Sequence, residues 1–391
     1  MTGWLAALGM LVLGAVALPS AWAQALPSWS AEEVRAILRH GPWPLPVPRD
    51  PSNRVDGREA GIVLGEHLFN DARLSAGGDM SCASCHVSGR GWSDGRARAM
   101  GRGELDRRTL SLWNVGHARW FGWDGAGDSL WAQSIRPIVE PREMGSDAAR
   151  IARLLREDAT LACGYRRAFG EPPGTDDEKL LVDVAKALAA FQATLVSPRT
   201  PFDDFRDALA SGDREAAARY PTAAQRGLRN FIASNCAACH FGPRFTNGEF
   251  GDVGIPFFTR PGEVDPGRLG GIKRLADSPF NLLGRYNDDP ASASTLRTRH
   301  VQRQHSNFGE FRVPSLRQMG DGPFMHNGHL ATLEDVVRHY SEVDPDRLHG
   351  DALPLVRPLG LGAEDRADLV TFLRTLSAEA APRPSPPPLC P

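Results

Sequence analysis

The chain is poor in tyrosine, with 4 in 391 residues, and it has no tryptophan beyond Trp131, so its N-terminal half holds all the indole chemistry. It lacks an excess of either charge. Lys and Arg number 45 against 47 Asp and Glu, for a net charge of −2. With no basic stripe, nucleic acid is not an expected partner. Past the first 20 residues there is no apolar run long enough to cross a bilayer. Alternating strand patterns are scarce, so a mostly α fold is expected. Cysteine is sparse too. Of the 6 present, four fall in two short runs and Cys163 and Cys390 are left over. Those two could pair, but nothing in the sequence brings them together.

What is present begins with an export pattern. Leu5 to Leu18 is apolar, Pro19 and Ser20 end the run, and Ala21-Trp22-Ala23 gives a small-x-small cleavage site. Residues 1–23 are therefore expected to be a signal peptide, leaving a periplasmic protein with no membrane span.

The two cysteine runs are Cys82-Ala83-Ser84-Cys85-His86 and Cys236-Ala237-Ala238-Cys239-His240. Cys-x-x-Cys-His is the attachment signature of c-type haem: two thiols bond the vinyl groups and the adjacent His sits under the iron. A zinc ribbon would need its Cys pairs about 15–20 residues apart, and here they stand 154 positions apart, from 82 to 236. A thioredoxin-like dithiol would need a βαβ setting that the flanks do not supply. Two covalent haems are the expectation, with Cys82, Cys85, Cys236 and Cys239 as attachment points and His86 and His240 as proximal iron ligands.

The flanks repeat as well. Trp92-Ser93-Asp94-Gly95 follows the first His and Phe245-Thr246-Asn247-Gly248 the second. An aromatic, a hydroxyl, an Asp or Asn and a Gly recur at nearly one offset, as in two related haem domains. The expected organisation is a first haem domain over 24–200, a second over 201–380, and a disordered Pro-rich tail over 381–391. Helices are expected from Ser30 to Arg39, from Gly57 to Phe69, and from Asp177 to Leu195. Others should start at Thr222 as a cap, run from Thr332 to Tyr340 with Asp335 at the third position, and span 364–376. The Gly-, Pro- and Asp-rich stretch 242–309 reads as long loops around haem edges.

In this order the chain resembles the bacterial dihaem cytochrome c peroxidases and their MauG-type relatives, over roughly 61–376. The most specific stretch is Phe121-Gly122-Trp123-Asp124-Gly125 with Gln133, Pro137 and Glu143, which stand 10, 14 and 20 positions after Trp123 as in MauG-type enzymes. Phe311 to Arg317 and Pro323 to Gly328 are similar to family segments too. The resemblance implies a fold of two cytochrome c-like domains with long loops. It makes Glu143 the group that moves a proton on hydrogen peroxide, with Gln133 orienting the peroxide and Pro137 crowding the site. Trp123 would lie between the haems. Ordinary family members cap the first haem with a His in Gly-His-Gly. Here Gly101-Arg102-Gly103 has none, and Arg cannot lose its proton to ligate.

In the family that the chain resembles, the sixth ligand of the second haem stands seventeen positions after the Pro of the Pro-Phe-Met-His segment, so the resemblance implies Tyr340 here. Met319, Met325, His326 and His339 are rivals. The resemblance implies a periplasmic MauG-like oxidoreductase, similar to the MauG-type enzymes associated with methanobactin operons. It would use hydrogen peroxide to form a high-valent bis-haem state that oxidises a partner protein, at a Trp side chain. The alternative is a cytochrome c peroxidase drawing electrons from a small electron-donor protein. Family members also bind calcium between the domains. Its expected places read Arg107-Arg108-Thr109 and Asp321, where a basic residue could replace the cation.

Overall fold

The structure, a computed structural model, describes residues 29–256, 258–260, 262–351 and 355–390. The expected signal peptide lies outside them. Among the described residues no helix is long and apolar enough to cross a membrane. The chain is mostly helical. Its only sheets there are two-stranded ladders, Phe250–Gly251 against Phe311–Arg312 and Phe258–Arg260 against Glu263–Val264.

Two separate hydrophobic clusters form the interior. The first is built on Asp177–Gln192, whose thirteen buried residues out of sixteen make it the axis of the N-terminal half. Asp176 caps its first turn and Asp177 and Glu178 suit the positive end of its dipole. Two charged residues go inside with it, and both are partnered. Asp183 accepts hydrogen bonds from the Tyr165 hydroxyl at 2.6 Å and Lys179 at 2.8 Å. Lys186 donates to Asp288 at 2.6 Å and to the Tyr286 carbonyl at 2.8 Å. A buried charge without such partners would cost several kcal/mol.

The second cluster is centred on Thr222–Ala233 packed against Ala363–Arg374. One device serves both clusters. Glu59–Asn70 meets the axis helix at Gly65, where an added Cβ would sit 1.9 Å from the Ala187 carbonyl oxygen. Thr222–Ala233 meets its partner at Gly227, where a Cβ would sit 1.9 Å from the Asp368 carbonyl oxygen. In each half, then, the helix that leads into a Cys-x-x-Cys-His run is held close to its neighbour through a glycine, and any side chain there would force the pair apart.

Most expected elements form: Ala31–Leu38 with a Ser30–Glu33 capping box, and Leu333–Glu342 with a Thr332–Asp335 box. Three differ. Thr222 is the first helical residue rather than the cap, because the rigid Pro221 before it takes the capping position and Thr222 makes no side-chain cap bond. The 242–309 stretch contains helices Arg268–Asp277 and Ala293–His300. Its glycines gave a loop-like composition, yet Gly271 lies in the first of these helices, where a Cβ would fall 2.1 Å from the Asp124 carbonyl oxygen.

The tail, expected to be disordered, lies against the first cluster. Cys390 is disulfide-bonded to Cys163. Leu389 is buried and its carbonyl accepts from Arg167 at 2.7 Å, while the Pro387 carbonyl lies 2.9 Å from His67 Nε2. A covalent link and a buried leucine offset the chain entropy that proline content alone does not.

Candidate active site

Both Cys-x-x-Cys-His runs are short helical turns, each lining a cavity, and none of their four cysteines is in a disulfide. In each half an aromatic residue in left-handed backbone conformation turns its carbonyl onto the histidine. His86 Nδ1 lies 3.0 Å from the Trp92 carbonyl, and His240 Nδ1 lies 3.1 Å from the Phe245 carbonyl. Trp92 has φ 59° and Phe245 φ 52°. A carbonyl can only accept, so Nδ1 carries the proton and Nε2 keeps its lone pair. Burial lowers the pKa of both rings, that of His240 to about 4, so both stay neutral, the form that binds metal.

The rest of the repeat closes these loops. Ser93 Oγ donates to the Thr109 carbonyl and Thr246 Oγ1 to that of Val313, while Asp94 and Asn247 accept from the backbone two residues on. The shared sequence pattern is the holder of the histidine. Burial pushes Cys82 up to about 12 and Cys236 to about 11, the opposite of an activated redox dithiol.

The first cavity, about 490 Å³, is lined by Cys82, Cys85 and His86 together with Gln133, Pro137 and Glu143. Leu130–Val139 supplies Gln133 and Pro137 from one helix face, started by a Ser129 cap. Pro137 lies near the end of this helix, and Glu143 follows in the turn where its amide donates to the Glu140 carbonyl. Gln133 Oε1 accepts from Arg136 at 3.3 Å. Burial raises the Glu143 pKa, against the attraction of Arg136 and Arg142.

Among the described lining residues His86 is the only histidine. Met80 and Met144 also line the wall but belong to the first hydrophobic cluster. Arg102 lies over Gly145, and His117 lines neither cavity.

The second cavity, about 650 Å³, is lined by Cys236, Cys239 and His240 and by Leu333, Val337 and Tyr340 of the Leu333–Glu342 helix. Among the rivals Met319, Met325 and His326 line this cavity as well. His339 turns away and its Nε2 lies 2.7 Å from the Val253 carbonyl. The His326 ring is stacked on Phe311 at 3.4 Å. Burial raises the Tyr340 phenol above its ordinary range, and the Cys236 and Cys239 thiols act on it in the same direction.

The cavities share a wall formed by Arg108, Thr109, Leu110, Trp123 and Arg312, among others. Trp123 is held at both ends: its indole donates to the Arg108 carbonyl at 3.0 Å, and its own carbonyl accepts from the Arg312 amide at 2.8 Å. Arg108 Nε, Thr109 Oγ1 and Arg312 Nε are buried without a hydrogen-bond partner. The Arg312 guanidinium also donates to the Trp120 carbonyl at 3.1 Å, but its Nε and that of Arg108 each keep a hydrogen for an anion. Haem fits: two thiols, an imidazole lone pair, an apolar slot, and a cationic rim for its propionates.

Behind Trp123 lies a charged network that the sequence did not reveal. Arg107 donates to both oxygens of Asp265 at 2.6 and 2.7 Å and to Asp124 at 2.6 Å, and Arg274 also pairs with Asp124. Asp124 is fully buried. The expected calcium region thus has a guanidinium already between two carboxylates, and Asp321 is exposed.

A family model described as di-haem cytochrome c peroxidase matches residues 59–211. The methylamine utilization protein MauG of Methylorubrum extorquens is 35% identical over 390 residues, covering 96% of this chain and 95% of that one. The cytochrome-c peroxidase IdrP1 of Pseudomonas sp. (strain SCT) is 29% identical, covering 85% of this chain and 84% of that one. Among solved structures, a MauG-like protein associated with microbial copper homeostasis superposes with a TM-score of 0.65 at 26% identity, covering 89% of this chain and 99% of that one.

Proposed function

We propose that this chain, which belongs to the di-haem cytochrome c peroxidase family, is an exported MauG-like enzyme that uses hydrogen peroxide to oxidise a partner protein at an aromatic side chain. The carrying observation is the common wall: one tryptophan, fixed at both ends, borders both cavities. When bound, the two haems supply cleavage of the O–O bond and storage of the resulting oxidising equivalents.

The protein's own groups do the remaining work. Peroxide takes up two electrons and two protons to give two waters. Glu143 accepts a proton from the incoming peroxide and returns it to the departing oxygen; a carboxyl with a raised pKa suits both halves of that task. The Gln133 amide donates a hydrogen bond that orients the peroxide. Pro137 offers no donor and no ligand, so it excludes water from the same face. In the other cavity His240 and Tyr340 would hold the second haem's iron, and a phenolate, as an anionic hard ligand, would favour oxidised iron where a methionine sulfur would favour reduced iron. Trp123 couples the two sides.

A protein substrate cannot enter a cavity of about 490 Å³, so its electrons must cross the protein to reach the haems. Export is supported by the N-terminal apolar run and by the Cys163–Cys390 disulfide, which belongs to an oxidising compartment.

The second reading, a cytochrome c peroxidase fed by a small donor protein, is favoured by the likeness to IdrP1. Mixing the fully oxidised holoenzyme with peroxide separates the two. Reaction of the ferric protein without prior reduction, and oxidation of an aromatic side chain on a partner, supports the proposal. Reaction only after one-electron reduction favours the donor-fed peroxidase and refutes it.

A further inference from the structure

The Pro345–Arg347 turn is followed by His349 and Asp351, and across from them the short turn His305–Asn307 presents His305. One ligand atom from each of His305, His349 and Asp351 lies within 4.8 Å of the other two. His305 Nδ1 is 2.7 Å from Asp351 Oδ2, and the two imidazole centroids are 4.8 Å apart. Tetrahedral coordination at about 2.0–2.1 Å puts neighbouring donors about 3.4 Å apart, so side-chain movements of about 1 Å would close the set. His305 and Asp351 are exposed, and such movements there cost little.

One ligand is braced from behind. The His349 backbone amide donates at 2.8 Å to Asp252 Oδ2, a buried carboxylate, and the Phe308 ring packs 5.0 Å from the imidazole. We infer that His305, His349 and Asp351 form a site for a divalent transition-metal ion of the zinc or copper class, outside both haem cavities.

Two imidazoles and a single carboxylate suit those ions and not calcium or magnesium, which want more oxygen donors. Three protein ligands leave a position for water.

The location gives the ion something to do. Asp252 lines the second cavity, as do Leu355, Val356, Arg357 and Leu359 just beyond Asp351, and the Leu359 amide donates to the Tyr340 carbonyl at 3.3 Å. An ion here joins segments 46 positions apart in the chain and holds the 344–351 stretch onto the body of the protein. It thereby fixes one wall of the second cavity. This inference does not depend on the peroxide reading.

The test uses chelator-washed holoenzyme in equilibrium dialysis against Zn²⁺ alone, comparing the parent with His349→Ala and Asp351→Asn. Unchanged haem absorption shows that each variant is folded. The parent should bind one Zn²⁺ per chain. Loss of even an outer-shell partner costs about 10–100-fold, so loss of a ligand should weaken binding by at least about 100-fold. Zn²⁺ should also slow tryptic cleavage after Arg347 in the parent alone, with Ca²⁺ without effect. Equal Zn²⁺ binding in parent and variants, no binding in the parent, or binding that leaves cleavage unchanged would overturn the inference.

Discussion

Replacing Arg107 with methionine should destabilise the haem-loaded protein by about 3 kcal/mol at pH 7. The guanidinium makes three charge-assisted bonds, two to Asp265 and one to Asp124. Without it Asp124 keeps Arg274, but Asp265, 6% exposed, keeps only the Gly267 amide at 2.9 Å. Breaking a buried pair costs about 3–5 kcal/mol, chiefly for the carboxylate left behind. The surviving Arg274 contact puts the estimate at the low end of that range.

The pH dependence has a definite sign. Burial alone would raise the Asp124 carboxyl, but Arg107, Arg274 and Arg136 outweigh it and hold its pKa well below the usual carboxylate range. A depressed carboxylate stabilises the fold above its unfolded pKa of about 3.9, and that contribution fades as the pH falls further. The gap between parent and variant should therefore be widest near neutrality and shrink below about pH 4. Urea unfolding followed by circular dichroism at pH 7 and at about pH 3, below the unfolded carboxyl pKa, measures it. Lysine at 107 should not rescue, since it cannot match three fixed acceptors. A loss under about 1 kcal/mol at pH 7, or a gap that widens on acidification, would refute the reasoning.

Three further outcomes follow from the same structure. Glu143→Gln should slow the reaction of the ferric enzyme with peroxide by about 10²–10⁴-fold, the usual worth of a positioned proton-transfer group; an unchanged rate rules that role out. Because burial raises the Glu143 pKa, the parent's rate should rise with pH through a value above the ordinary glutamate range, and this acid limb should vanish in the variant. Cys390→Ser should cost about 2–4 kcal/mol and free the tail to proteolysis without altering peroxide chemistry, as the disulfide closes a long loop away from both cavities.

The Cys-x-x-Cys-His runs and the helices beside them were legible in the sequence because local patterns carry them, and the Trp123 to Glu143 spacing was legible through the family resemblance. Cys-x-x-Cys-His needs only five consecutive residues, and the Leu333–Glu342 helix announces itself through its Thr332–Asp335 box. Features made by distant segments were not legible. The Arg107–Asp265 pair spans 158 positions and the Cys163–Cys390 bond 227. The left-handed carbonyls of Trp92 and Phe245 left a trace, the repeated aromatic-hydroxyl-amide-glycine pattern, whose purpose needed coordinates. Composition misled twice. Glycine suggested loops where Gly271 permits close helix packing, and proline suggested disorder in a tail that a disulfide ties down.

Magnetic resonance of the resting ferric holoenzyme tests the central claim most directly, beside Tyr340→Phe under the same conditions. The account predicts one high-spin centre, from a first haem held by His86 alone among the protein's ligands, and one low-spin centre whose g-values change when the Tyr340 oxygen is removed. Two low-spin centres, or a Tyr340→Phe spectrum that overlays the parent's, would contradict it.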